Sequence, residues 1–279
     1  MPHHELLGCG FNAHSQLSFA KYGGAQSTRA SSPEDIRSPT SLITTTSTGD
    51  DKTLKPVFIG WSDVLLQQDE EVFWYGAGRA SKANEAKPAP LNLHGAAASS
   101  LSFIGDHSGP LAALSKTGEI LLRSGNEFLP APELGTDWQH IAIAGNGIVC
   151  AVKQNCRVFS FPSFSAFTNS CHTRIWSIPT LRILQLIANE SSFTLLSHEG
   201  EVYTWGDSRY GLGREVTAEE PASEPTIVTA LEGLKMVKIS TGAWMAGAIS
   251  NERDLYIWGR ASIDQEIEGM GEGEGEVNL

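Results

Sequence analysis

Lys116-Thr117-Gly118 and, far upstream, Ser18-Phe19-Ala20-Lys21 are residues whose types and spacing could do chemistry. Together they spell the Lys-Thr-Gly and Ser-x-x-Lys elements of a serine acyl-transfer site. Their surroundings argue otherwise. Lys116 to Gly118 occupies a polar turn between two apolar runs, the place that His198-Glu199-Gly200 holds before a matching Glu-aliphatic strand. Ser18 has no helical pattern around it to present its hydroxyl.

The stretch EVYTWGDSRYGLGRE, from Glu201 to Glu215, poses a second chemical question, because Tyr210-Gly211-Leu212-Gly213 could cradle a phosphate. A phosphate loop needs a strand, then glycines, then a helix whose first N–H groups face the anion. Gly213 is followed instead by REVTAEEPASEPTIV, whose prolines cut any helix short and whose acids repel phosphate. Metal chemistry fares no better. Zinc wants about four convergent N or S ligands, usually in two local pairs. Here only His3-His4 and Cys171-His172 are adjacent, while Cys150 and Cys156 flank a turn, either meeting across it or simply buried. We expect no catalytic residue, no cofactor and no metal.

The balance of charge points to a class of partner. The 279 residues carry a formal net charge of -12, with 41% hydrophobic and 19% charged residues. Binding a nucleic-acid backbone needs clustered Lys and Arg, so direct nucleic-acid binding is not expected and a basic partner suits the chain better. MPHHELLGCGFNAHS lacks the basic and apolar regions of a secretory leader, and no run approaches the ~18 apolar residues of a membrane span. Cys9, Cys150, Cys156 and Cys171 form no CxxC pair, and they read as free thiols in a reducing compartment. The expected location is cytoplasmic, nuclear or both, which makes the Asn189-Glu190-Ser191 sequon a chance match.

Stepping along the chain, DLYIWGRAS from Asp254 copies EVYTWGDSR from Glu201. Each follows the same order: an apolar alternating run, a small or polar corner (Ala188-Asn189, Thr241-Gly242), a second apolar run, a tight polar turn, then a strand ending in Trp-Gly. Weaker copies begin at Val57, Leu101 and His140, and a half copy, Leu6 to Leu17, opens the chain with the final strand and its loop. Period-two alternation dominates and amphipathic helical periodicity is nearly absent. A unit of about 40 to 50 residues with three or four strands is a propeller blade, which cannot cover both its apolar faces alone. The fold class is therefore all-β, a β-propeller with about five and a half blades visible, and Trp205 and Trp258 belong to its core.

LLSHEGEVYTWGDSRYGLG and GCGFNAHSQL resemble the regulator of chromosome condensation repeat family, strongly over residues 183 to 260 and loosely elsewhere. The second segment has Cys9 where the family usually has Trp and Ser15 where it usually has Gly. The resemblance implies seven blades and a ring closed by joining amino- and carboxy-terminal strands. It also implies functions as diverse as guanine-nucleotide exchange on small GTPases, chromatin adaptors, ubiquitin-ligase modules and partners of translation or tRNA-modification machinery. Where the family often has a His after the corner glycine, this sequence has Asp63, Ile148, Ser192 and Met245. Either the native chain continues beyond Leu279 or the ring closes unusually.

We expect residues 1–279 to form a single propeller domain, with 23–56 as a Ser/Thr/Pro-rich insertion, flexible apart from a short strand at Leu42-Ile43. Ser32-Pro33 and Ser38-Pro39 suit proline-directed kinases or a plain solvated linker. Rim loops are where such repeats hold partners. Asp207, Arg209, Tyr210, Glu219, Glu220 and Trp244 are the candidate contacts, because Tyr, Trp and Arg often dominate interface energy; for Trp244 the alternative is packing beneath a loop. The function expected is a non-catalytic scaffold or adaptor whose rim binds an intracellular protein, small and basic or metal-carrying. The alternative is a guanine-nucleotide exchange factor for a small GTPase.

Overall fold

The computed structural model describes residues 3–10, 36–46, 54–76, 90–177 and 182–259. Contacts divide the chain into two compact units, residues 1–139 and 140–279.

In the first unit, β1 (His3–Gly10) pairs antiparallel with β2 (Ile36–Thr46). Leu42 and Ile43 thus lie in a strand much longer than their own apolar pair suggests. The opening segment also differs from expectation: its strand is joined by a partner from within the insertion, so backbone pairing, not side-chain pattern, extends both. Residues 11–35, with Ser18, Lys21 and Ser32-Pro33, lie outside the described residues. The first blade is β3 (Leu54–Ile59), β4 (Asp63–Gln68) and β5 (Glu71–Gly76). The second is β6 (Leu101–Asp106), β7 (Gly109–Ser115), β8 (Ile120–Ser124) and β9 (Glu127–Pro130).

Among the described residues, the second unit holds three blades. The third is β10 (Trp138–Ile143), which begins just before the boundary, β11 (Val149–Lys153), β12 (Arg157–Phe161) and β13 (Arg174–Ser177). A one-turn helix that the strand pattern did not foretell, α1 (Phe164–Thr168), is inserted before β13; the Ser163 hydroxyl caps it by accepting from Ala166 N–H. The fourth is β14 (Ile183–Ala188), β15 (Ser192–Ser197), β16 (Val202–Gly206) and β17 (Thr226–Ile227). The fifth, with three strands among the described residues, is β18 (Met236–Gly242), β19 (Met245–Ser250) and β20 (Leu255–Gly259). These antiparallel, sequentially paired sheets are blades of an all-β propeller fold.

Successive blades of the second unit bury one another. Cys150, Val152 and Val158 of the third meet Leu186, Phe193, Leu195 and Trp205 of the fourth. Leu196 and Val202, on the opposite face of the fourth, meet Met236, Ile239 and Ala248 of the fifth. Cys150 sits opposite Ser160, not Cys156, and burial pushes its thiol well above the usual range. Trp205 is fully core, as expected. Trp258 departs from the expectation of a core residue: it is only half-buried, packed against the cluster that the fourth and fifth blades share.

The hairpin turns explain the Lys-Thr-Gly match. Ser115 Oγ accepts from Glu119 N–H at 3.0 Å, as Ser197 Oγ does from Glu201 and Ser250 Oγ from Asp254 at 3.1 Å. Gly118, Gly200 and Arg253 hold the same left-handed position in the three turns. Lys116 and Thr117 are parts of a recurring turn.

Candidate functional site

The rim of the second unit is built from the corners between the first two strands of each blade and from the loop after β16. The corners are tied in series: Gly145 N–H donates to Asn189 O at 3.0 Å, Asn146 N–H to Glu190 O at 2.8 Å, and Glu190 N–H to Ala243 O at 2.8 Å. The loop after β16 hooks onto its own blade's corner through Asp207 N–H and Ser191 O, 3.0 Å apart. This approach needs the glycine of Trp-Gly, since a β-carbon on Gly206 would lie 2.6 Å from Ser191 O, and its φ is +128°.

The Tyr-Gly-Leu-Gly run then clamps the fourth blade to the fifth. Tyr210 stacks on Trp244, ring centroids 5.2 Å apart and planes 27° apart. Leu212 is buried and its carbonyl accepts the Thr204 hydroxyl at 2.7 Å. Gly213 lies beneath the Trp258 ring. The glycines therefore serve close packing, and the chain beyond is a loop, not the helix a phosphate site requires.

Beside the aromatic pair, Arg209 is fixed by Asp207. Its Nε lies 3.0 and 2.8 Å from the two carboxylate oxygens and Nη2 2.5 Å from Oδ2, while the guanidinium carbon stands 5.7 Å from the Tyr210 ring centre. Hydrogen bonding from Arg209 holds the Asp207 carboxyl below its ordinary range. Four of the six expected contacts are thus brought together: Asp207, Arg209, Tyr210 and Trp244. The aromatic rings are half-exposed, so Trp244 both packs beneath a loop residue and presents surface.

Glu219 and Glu220 stand on the acidic loop that follows, both exposed. Its curl is set by a residue the sequence reading passed over. Arg214 Nη1 donates to Glu215 O and Glu220 O, at 3.1 and 3.0 Å, and Nη2 to Thr204, Pro221 and Glu224 carbonyls between 3.1 and 3.3 Å. With the guanidinium satisfied by main-chain oxygens, the loop's carboxylates are left to face outward. An Arg directly after a clamping glycine, before a proline-broken acidic run, was the available signal.

A sequence comparison identifies one of the repeats. Residues 199–249 match the family model described as Regulator of chromosome condensation (RCC1) repeat. Residues 199–249 are similar to one RCC1 repeat, set in a β-propeller fold. RCC1 domain-containing protein 1 of Mus musculus is 38% identical over 81 residues, 29% of this chain and 21% of that protein. The Ultraviolet-B receptor UVR8 of Arabidopsis thaliana is 34% identical over 80 residues, 28% of this chain and 18% of the receptor. The match thus spans about a fifth of the length of these relatives. Human WBSCR16 superposes with a TM-score of 0.57 at 18% identity, covering 91% of this chain and 71% of its own. Prp20p from Saccharomyces cerevisiae, whose structure was described with its binding to Gsp1p and histones, gives 0.53 at 13% identity, covering 72% and 56%. At these identities the likeness is one of fold.

The matched RCC1 repeat contains Asp207, Arg209, Tyr210, Glu219, Glu220 and Trp244. Among the described residues no group of three or more His, Cys, Asp or Glu is placed to hold a metal ion. In the first unit, Asp63, at a position where the repeat often has His, is fully buried and its Oδ1 accepts from Trp74 Nε1 at 2.6 Å. Arg123 covers the same indole, 4.6 Å from its ring centre, and donates to Pro110 O. Asp63 thus anchors the indole within the first blade, and Arg123 links that indole to the second.

Proposed function

We propose that this propeller protein is a non-catalytic scaffold or adaptor whose rim binds an intracellular protein partner in the cytoplasm or nucleus. One observation carries the reading: a half-exposed Tyr210–Trp244 stack, braced by the Asp207–Arg209 pair and bordered by outward-facing Glu219 and Glu220. Aromatic anchors with a polar border are the usual form of an interaction hot spot. The exposed carboxylates and the net charge of -12 favour a small partner with a basic face, or one carrying a metal ion.

Affinity purification of the full chain from native lysate, with and without added GTP, tests this reading when paired with Trp244→Ala. An adaptor retains one partner regardless of nucleotide and loses it with Trp244→Ala. Capture of a small GTPase that GTP releases would instead make the protein a guanine-nucleotide exchange factor. Capture that Trp244→Ala leaves intact would move the site elsewhere.

A further inference from the structure

Four asparagines among the described residues curl their side-chain carbonyl onto the N–H two residues on. Asn92 Oδ1 accepts from His94 at 3.0 Å, Asn146 from Ile148 at 3.1 Å, Asn155 from Arg157 at 3.2 Å and Asn189 from Ser191 at 3.0 Å. Each curl folds the side-chain amide back over the intervening peptide nitrogen. The residues supplying that nitrogen are Leu93, Gly147, Cys156 and Glu190. Of these, Gly147 alone has no β-carbon to shield it. Asn146-Gly147 is also the single Asn-Gly pair in the 279 residues.

Asn146 is exposed, at the corner between β10 and β11, and is part of the series of rim ties. Its N–H donates to Glu190 O at 2.8 Å, and the neighbouring Gly145 lies against the Glu190 carboxylate. The Ile148 N–H holds Asn146 Oδ1, the atom on which negative charge builds when the amide carbon is attacked. A donor placed there stabilises that charge. One contact opposes the attack: Gly147 N–H donates to Ala144 O at 2.8 Å, so the turn must open before the nitrogen can lose its proton. Opening a surface turn costs far less than unfolding the chain, which makes the reaction slow rather than forbidden.

We infer that Asn146 is a self-modifying site of the rim, an asparagine that the Gly147 nitrogen converts to aspartate and isoaspartate. Hydroxide removes the Gly147 N–H proton. The nitrogen then bonds to Asn146 Cγ, the Cγ–Nδ2 bond breaks, and Nδ2 leaves as ammonia to give a cyclic imide. Water opens that ring at either carbonyl, with no oxidant or reductant. Both products add a negative charge next to Gly145, where the Glu190 carboxylate already lies, and like charges repel. Isoaspartate also inserts a main-chain methylene, so the Gly147 to Ala144 bond no longer fits the corner. The tie from Asn146 N–H to Glu190 O is loosened in consequence, and Glu190 N–H is itself bonded to Ala243 O, beside Trp244.

Incubation of the full chain at mildly alkaline pH, followed by peptide mapping with mass spectrometry, tests the proposal. Circular dichroism verifies that the chain stays folded throughout. The expected result is conversion at Asn146 at least about tenfold faster than at Asn92, Asn155 or Asn189, and faster still as hydroxide concentration rises. Isoaspartate is read by methyl transfer from S-adenosylmethionine with an isoaspartyl methyltransferase. Gly147→Asn, chosen because asparagine tolerates the φ of +85°, slows the conversion at least about tenfold. Should that variant not fold, the three internal asparagines of the wild type still decide. Conversion at Asn146 no faster than at those three overturns the inference, as does conversion seen only after unfolding in urea, or a rate that folded Gly147→Asn leaves unchanged. No partner enters the measurement, so its outcome is separate from that of the rim-binding test.

Discussion

Trp258 of the fifth blade rests on Gly213 of the loop leaving the fourth. A β-carbon at Gly213 would come within 2.8 Å of Trp258 Cγ and 3.0 Å of Cδ1, and its φ is +72°. Both space and backbone therefore require glycine. Gly213→Ala is expected to destabilise the chain by about 2 kcal/mol, combining overpacking with the left-handed penalty. Urea unfolding followed by tryptophan fluorescence measures it; an unchanged midpoint would remove Gly213 from the clamp.

The stack of Tyr210 on Trp244 separates binding from folding. Trp244→Ala should weaken partner binding by about 2 kcal/mol and Tyr210→Ala by about 1 kcal/mol or more, as truncated aromatic anchors do. Calorimetric titration of each variant with the captured partner gives the values. Equal affinities for wild type and both variants would dismiss the pair as a contact.

Charge reversal isolates the acidic loop. Glu219→Lys with Glu220→Lys should weaken binding several-fold at about 50 mM salt, and the difference should shrink towards about 300 mM as screening grows. Both side chains are exposed, so thermal stability should be unmoved. A defect of the same size at both salt concentrations would point to loop damage rather than to charge.

His140 makes part of the stability pH-dependent. Burial, only partly offset by its hydrogen bond to Ile183 O, lowers its pKa below 6.5. The folded state therefore binds the proton less readily than the unfolded one. The sign follows: stability is undiminished above the unfolded pKa of about 6.5 and is lost as pH falls through the lower folded value. His140→Gln, borrowing the residue that stands at Gln185, should flatten this dependence while keeping the donor. Thermal melts of both proteins between about pH 8 and pH 5 should diverge only on the acid side; parallel curves would exclude His140 as the source.

Asp63 is buried between the first two blades, and its carboxylate accepts from Trp74. Asp63→Ala leaves a buried indole N–H without that acceptor and should cost about 3 kcal/mol. Denaturant unfolding is the measure, and a loss below about 0.5 kcal/mol would mean that the site relaxes or admits water.

The blade rhythm was legible from local rules. Strands show as period-two apolar runs, turns as Gly, Asp and Ser clusters, and the terminal Trp-Gly as a recurrent stop. Even the false enzyme motif dissolved at this level, since Ser115 to Glu119 and Ser197 to Glu201 occupy corresponding turns. Partner candidates were chosen by residue type, but nothing in their spacing tells that Tyr210 and Trp244, in different blades, stack face to face. Arg214 was missed for a related reason: its acceptors are backbone oxygens, which carry no residue signature.

What the residues determine unaided is each blade, because a strand and its turn are set by nearest neighbours in the chain. The tertiary structure alone decided which side chains meet between blades: Gly213 under Trp258, Arg123 over Trp74 at the first junction, and Tyr210 on Trp244. It also decided that Leu196 and Val202 of the fourth blade are buried against the fifth. Burial depends on the adjacent sheet, and no local pattern of alternating residues records whether a neighbour is there.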